Sequence, residues 1–318
     1  MSLPPDSELT LPDGRILRYC LHGPADGAPV IMHGGSPSSR WKRPVQIAGM
    51  ERGPVRLLIY DRPGYGGSSR QPGRTVADAA ADAEALADAH GWARFAVLGG
   101  SSGGPHALAC AALLPERVTR CAVVSGIKPA DPAPPAPASS APASSTPASP
   151  PDLSAPASPP ASSTPASPPA LSAPARSAPG EAELRARLAD RAETILAAID
   201  AGGPEFPAEP GPPARDDPDA MARIRATFVD GMDGWVDDSL AFARPWGFDP
   251  ASIAVPTAIW RGTADPNVPA DHAEWPLTHI PGAEGHVYEG GHLPGPAVYD
   301  DIYRWLDGDR NGTIGGRR

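Results

Sequence analysis

The sequence predicts an α/β fold built on a mostly parallel sheet, and three observations predict it. Short apolar runs such as Val55-Arg56-Leu57-Leu58-Ile59-Tyr60 and Phe95-Ala96-Val97-Leu98 have the length and composition of strands covered on both faces. Helical patterns alternate with those runs along most of the chain. Glycine-rich turns close several of the runs, as at Gly64 to Gly67 and Gly99 to Gly104. With 318 residues and 41% hydrophobic content, the chain can bury a sizeable core.

Glu8 to Leu11 and Arg15 to Tyr19 flank Pro12-Asp13-Gly14, a hairpin signal, so the sheet opens antiparallel. Pro29 to Met32 and Val55 to Tyr60 follow as buried strands. Thr75 can cap a helix from Val76 to about His90, and Gly91 occupies the stop position. Phe95 to Leu98 is the next strand, Pro105 to Leu114 a helix and Thr119 to Ser125 a strand. Helical patterns return at Glu181 to Ile199, Asp219 to Phe228 and Trp235 to Phe242. A strand at Pro256 to Trp260, a helix at Asp271 to Thr278, a short strand at His286 to Tyr288 and a helix at Val298 to Leu306 complete the chain.

Most of the excess in the 44 prolines is local: 17 of them fall between Lys128 and Gly180, where Pro, Ala and Ser dominate. An 18-residue unit starts at Ser144 as SSTPASPPDLSAPASPPA and recurs at Ser162 as SSTPASPPALSAPARSAP. Leu153 and Leu171 are its few large apolar residues. Such a segment buries too little surface to offset its ordering entropy, so 128–180 is expected to be a disordered, inert insertion. The organisation expected is therefore a sheet-based core at 1–127 and 245–318, the repeat insertion at 128–180 and a helical excursion at 181–244.

The net charge of −10 and the lack of a basic block argue against nucleic acid or an anionic membrane as partner, leaving a small molecule. No window approaches the roughly 18 apolar residues of a spanning helix, and the start lacks a basic region followed by an apolar run. A soluble, cytoplasmic protein is expected. Cys20, Cys110 and Cys121 lack a Cys-x-x-Cys spacing and read as reduced, buried thiols. The sequence leaves the oligomeric state open.

Gly99-Gly100-Ser101-Ser102-Gly103-Gly104-Pro105 admits three readings. A phosphate loop needs a lysine after Gly104, where Pro105 stands. Gly64-Tyr65-Gly66-Gly67-Ser68-Ser69 tests the dinucleotide loop better, but it lacks the third glycine. The third reading is a nucleophile elbow, Gly-x-Ser-x-Gly between strand and helix, whose sharp turn lifts a hydroxyl above the sheet. Registers on Ser101 and on Ser102 both fit; the first leaves Pro105 in the opening turn of the helix, where a missing N–H is tolerated, and favours Ser101.

Other segments supply what a serine nucleophile requires. In His33-Gly34-Gly35-Ser36, Gly35 can aim a backbone N–H at a developing oxyanion, with the N–H of Ser102 as second donor. His33 itself reads as a structural residue beneath that turn. Asp265 follows the strand ending at Trp260, where its carboxylate could fix a histidine tautomer; Asp249 and Asp271 are weaker candidates. For the base, His292 lies on a loop after the last strand, whereas His286 falls at that strand's start, toward the opposite edge of the sheet. The histidines lack metal-ligand spacing.

Five motifs in this order, His33-Gly34-Gly35, Tyr60 to Ser68, Gly99 to Gly104, Gly262-Thr263-Ala264-Asp265 with Val268-Pro269, and Gly291-His292, resemble the α/β-hydrolase superfamily. That resemblance implies an eight-stranded, mostly parallel sheet flanked by helices, with an inserted helical cap. It also implies a Ser-Asp-His triad, carried here by Ser101, Asp265 and His292, and no cofactor. Serine at the elbow argues against haloalkane dehalogenases and epoxide hydrolases, which attack with Asp. The elbow is similar to that of proline iminopeptidases, but Asp61-Arg62-Pro63-Gly64 stands where those enzymes carry Asp-Gln-Arg-Gly. The expected function is hydrolysis of a small ester or related acyl compound. An aminopeptidase for N-terminal proline, with Glu181, Glu183 or Glu193 holding the amine, and a non-catalytic binding protein on the same fold are the alternatives.

Overall fold

The computed structural model describes residues 7–130, 181–200 and 218–308. From residue 131 onward the segment expected to be disordered lies outside the described residues. The strands are β1 (Ser7–Thr10), β2 (Ile16–His22), β3 (Ala28–His33), β4 (Val55–Tyr60), β5 (Phe95–Gly100), β6 (Val118–Val124), β7 (Thr257–Gly262) and β8 (Glu284–Tyr288). They form one eight-stranded sheet in the order β1-β2-β4-β3-β5-β6-β7-β8. β2 pairs antiparallel with β1 and with β4, and every other pairing is parallel.

The helices of the core are α1 (Pro44–Arg52), α2 (Ala79–Ala89), α3 (Gly104–Leu113), α7 (Ala270–His279) and α8 (Pro296–Asp307). Alternation along the strands divides the interior into two layers. Leu58 and Tyr60 of β4 pack on one face with Ala83 and Leu86 of α2, Leu108 of α3 and Ala273 of α7. Leu57 and Ile59 face the other way, toward Met50 of α1 and Ile302, Tyr303 and Leu306 of α8. This double coverage is the reason the central strands carry so few polar residues.

Between β6 and β7 the chain forms α4 (Glu181–Asp200), α5 (Pro218–Thr227) and α6 (Asp233–Phe242). They share a small apolar core of Ala192, Met221, Phe228, Met232, Val236 and Leu240, which also takes in Tyr65 from the turn after β4. These three helices fall where the sequence predicts them, at the place of the expected cap.

Three local features differ from the sequence reading. Residues 34–54 received no element, yet α1 forms there; it is short, begins at a proline and buries only Gly49 and Met50, so its apolar stripe is faint. α2 begins three residues later than predicted. Thr75 donates its N–H (2.6 Å) and hydroxyl (2.7 Å) to the Asp78 carboxylate, which closes a turn ahead of the helix rather than capping it. His286 stands in the middle of β8, not at its start.

Chain order places a topological switch at β3. β4 lies on one side of β3 and β5 on the other, so the turns after β3 and β5 leave adjacent strand ends, with His33 paired to Gly99. Ligands bind at such switch points in open α/β sheets.

Candidate active site

The turn after β5 identifies which serine is presented. Ser101 has φ 52°, and among the described residues only Ser125, at φ 49°, is another non-glycine residue with positive φ. Holding a non-glycine residue there costs on the order of 1–3 kcal/mol, so the surroundings must enforce it. They do so through glycines on both sides. A Cβ on Gly99 would lie 2.5 Å from the Gly103 carbonyl oxygen, and one on Gly103 would lie 2.1 Å from that of His33. A Cβ on Gly100, in contrast, would meet nothing within 4 Å. The glycines demanded two residues before and two after the presented side chain are therefore Gly99 and Gly103, which selects Ser101 over Ser102. Residues 101–103 form a single 3-10 turn, and α3 starts at Gly104 with Pro105 in its first turn, as the register argument required.

Gly35 sits directly against this turn: a Cβ on it would lie 3.1 Å from Ser101 Cβ and 3.7 Å from Ser101 Oγ. A side chain at 35 would press on Ser101 Cβ. Beneath, His33 is fully buried, its Nδ1 3.0 Å from the Tyr60 hydroxyl, and its ring stacks on His106 with centroids 6.2 Å apart. Burial, with the neighbouring His106 and Arg62 charges, holds the His33 imidazole well below its ordinary value. His33 is thus a neutral structural group, as expected.

Asp265 and His292 are brought together across two loops, with His292 Nδ1 2.8 Å from Asp265 Oδ2. The Asp265 Oδ1 atom accepts the N–H groups of Asn267 (2.8 Å) and Val268 (3.0 Å). Burial alone would raise this carboxyl, but the bonds from His292, Asn267 and Val268 outweigh it and hold Asp265 below the usual carboxylate value. The two loops are laced by backbone bonds, Ala264 N–H to Gly290 O (2.8 Å) and Thr263 N–H to Tyr288 O (3.0 Å). Gly262 permits the approach, since a Cβ there would lie 2.2 Å from Gly291 O. Asp249 instead caps the turn Pro250–Ser252, and Asp271 pairs with Lys128 at 2.9 Å. Neither meets His292.

The His292 loop and the elbow share a neighbour. Ser125, just past β6, donates its hydroxyl to the His292 carbonyl (2.9 Å), and the Tyr288 hydroxyl lies 3.1 Å from the same oxygen. The next residue, Gly126, abuts the elbow, where a Cβ would lie 3.7 Å from Gly104 Cα and 3.8 Å from Ser101 O. The His292 loop is thereby linked to the Ser101 turn through Ser125 and Gly126, and among the described residues no hydrogen bond joins His292 to the Ser101 hydroxyl. His286 faces elsewhere: its ring stacks on Trp260, with centroids 4.5 Å apart. Among the described residues, no group of three His, Cys, Asp or Glu side chains is placed to hold a metal.

A family model described as alpha/beta hydrolase fold matches residues 28–295. The chain belongs to that family. Solved structures with the same fold include a hydrolase from Pseudomonas aeruginosa PA01, at 21% identity and TM-score 0.64, covering 95% of this chain and 98% of that one. An enol-lactonase from Burkholderia xenovorans LB400 matches at 20% identity and TM-score 0.62, covering 93% and 96%. An esterase from Rhodococcus sp. ECU1013 matches at 19% and 0.61, covering 96% and 98%.

Within this α/β-hydrolase fold, the sequence reading missed a buried ionic cluster that ties α6 to the segments after β3 and β4. Asp238 of α6 is fully buried and takes Arg62 at 2.7 Å, Arg74 at 2.6 Å, and the hydroxyls of Tyr65 (3.0 Å) and Ser36 (2.9 Å). Arg62 and Tyr65 lie in the motif 60–68, but an acidic residue on a short helix carries no signal of its depth. The glutamates considered for binding an amine face solvent instead: Glu181, Glu183 and Glu193 are exposed, and Glu181 pairs with Arg244.

Proposed function

We propose that this α/β-hydrolase-fold protein is a serine hydrolase of small esters or related acyl compounds. The observation that carries the reading is the backbone of Ser101, forced to φ 52° between two glycines that tolerate no side chain, on a turn linked through Gly126 and Ser125 to the loop of the Asp265–His292 pair. An esterase and an enol-lactonase among the similar folds are in keeping with an ester substrate.

In this mechanism His292 takes the Ser101 proton as Oγ attacks the acyl carbon and forms the tetrahedral intermediate. The N–H groups of Gly35 and Ser102 stabilise its oxyanion. Collapse breaks the bond to the alcohol oxygen, which receives the proton from His292. A water molecule, deprotonated by His292, then attacks the acyl-enzyme, releasing the carboxylic acid and returning a proton to Ser101. Asp265, kept ionised, holds the imidazole tautomer and stabilises the imidazolium. This mechanism requires no cofactor.

A fluorophosphonate probe is expected to place one adduct on the Ser101 peptide, with turnover of nitrophenyl esters falling in step with labelling. Ester turnover without an adduct on that peptide would sink the assignment. Faster cleavage of a proline anilide than of any ester would favour the aminopeptidase alternative, which lacks an amine site at the exposed cap glutamates. Tight ligand binding without turnover would favour the binding protein.

The hydroxyls on the His292 carbonyl give a graded test. Ser125→Ala and Tyr288→Phe are each expected to lower kcat about 3- to 10-fold, the worth of one hydrogen bond, with KM nearly unchanged. Because both hydroxyls serve one oxygen, their effects should not add in a double-mutant cycle. Additive losses in both kcat and KM would contradict a shared anchoring role.

A further inference from the structure

Arg62 is fully buried between two structures that the mechanism needs kept in register. Its Nη1 donates to the Gly34 carbonyl, and its Nη2 lies 3.1 Å from the Gly35 carbonyl. From the same guanidinium, Nε (3.2 Å) and Nη2 (2.7 Å) donate to Asp238 Oδ2 on α6. We propose that Arg62 is a positioning residue for the oxyanion hole, fixing the Gly34–Gly35 peptide plane and tying it to the cap through Asp238. This rests on the reading of Ser101 as nucleophile and of the Gly35 N–H as oxyanion donor.

The argument begins with the peptide unit. The Gly34 carbonyl and the Gly35 N–H belong to one planar trans amide and point in opposite directions. A guanidinium that holds the carbonyl therefore aims the N–H away from itself. Gly35 stands against Ser101, so the orientation of this plane decides whether a donor or an acceptor faces the reacting carbon.

Such a plane is otherwise poorly fixed. Flipping it requires rotation of ψ at residue 34 and φ at residue 35, and both residues are glycine, for which the usual steric barrier is absent. Flipped, the peptide would present a carbonyl oxygen to a developing oxyanion, which is repulsive. Arg62 opposes the flip with two donors on consecutive carbonyls. Ser36, the next residue, is held from the same centre, its hydroxyl donating to Asp238 Oδ2 at 2.9 Å. One carboxylate on the cap thus grips both the clamp and the end of the clamped segment.

The planar fork is essential to this role, because a lysine ammonium could not serve Gly34, Gly35 and Asp238 in one fixed geometry. Arg62→Lys keeps a positive charge facing Asp238 and so separates positioning from charge balance. The measurements are kcat and KM per active site titrated with the fluorophosphonate, and Ki for an aryl trifluoromethyl ketone, whose serine adduct bears the oxyanion. The expected result is a fall in kcat of about 10- to 100-fold with little change in KM, below the full loss of one oxyanion donor. Ki should rise by the same factor.

Asp238→Asn, which retains an oxygen acceptor for Arg62, is expected to give a smaller loss in the same two quantities. A purely structural role would lower thermal stability and the titratable fraction, leaving kcat per site and Ki unchanged; that result overturns the proposal. If Arg62→Lys yields no folded protein, Asp238→Asn decides it by the same criterion. Wild-type protein that neither labels nor cleaves esters overturns the serine-hydrolase reading and this proposal with it. Normal wild type beside an unaltered Arg62→Lys overturns the positioning role alone.

Discussion

His292→Ala is expected to lower kcat by about 10⁴-fold or more, as loss of a triad base does, while His286→Ala stays within a few-fold of wild type. The two rings differ in what they meet. His292 Nδ1 is held by a carboxylate that two backbone N–H groups keep in place, so one tautomer is selected and Nε2 is left for a proton. His286 lies mid-strand with its face on Trp260. Steady-state kinetics on nitrophenyl esters decides the assignment, and the reverse ranking would make His286 the base.

The pH profile adds a second check. Asp265 is held below the usual carboxylate value, so it remains charged from pH 5 to 8. Asp265 should therefore add no proton to the acid limb of kcat/KM, whose slope stays at one or below. A slope of two would mean that Asp265 titrates in that range.

The second large effect concerns stability. Asp238→Ala is expected to cost about 3–5 kcal/mol, because it leaves the Arg62 and Arg74 guanidiniums buried without their carboxylate. Asp233→Ala, which removes an exposed partner of Arg70 on the same helix, should cost at most about 1 kcal/mol. Urea unfolding of the two variants provides the comparison, and equal costs would refute the burial argument. Burial would raise the Asp238 carboxyl, but Arg62 and Arg74 drive it far below its ordinary value. A depressed folded value means that the stabilisation is present above the unfolded carboxylate range and fades only as pH falls below it. The gap between wild type and Asp238→Ala should therefore be flat from pH 5 to 8.

The sheet and much of the site were legible because their signals are local. Buried strands announce themselves as apolar runs, and Gly99, Ser101 and Gly103 carry the elbow within five positions. Asp265 and His292 each follow a strand, so chain order alone brings them to one edge. What escaped was set by tertiary contact. α1 has too little buried surface to imprint a stripe. Ser125 looks like any serine after a strand until its positive φ and its bond to the His292 carbonyl are seen. Asp238 belongs to a run of acidic residues on α6, and only the fold distinguishes it from exposed Asp233.

The seating of α4 to α6 constrains how this molecule could be recombined. A cap docked by apolar contact could be exchanged for another of similar shape, its fit improving by gradual repacking. Here a graft must bring a carboxylate to the place of Asp238, or the recipient core is left with two arginines facing a void. Transplanting α4 to α6 therefore calls for Arg62 and Arg74 to be treated as part of the same block. Chimaeras spliced at the sheet boundary alone would inherit a charge mismatch in the layer above Ser101.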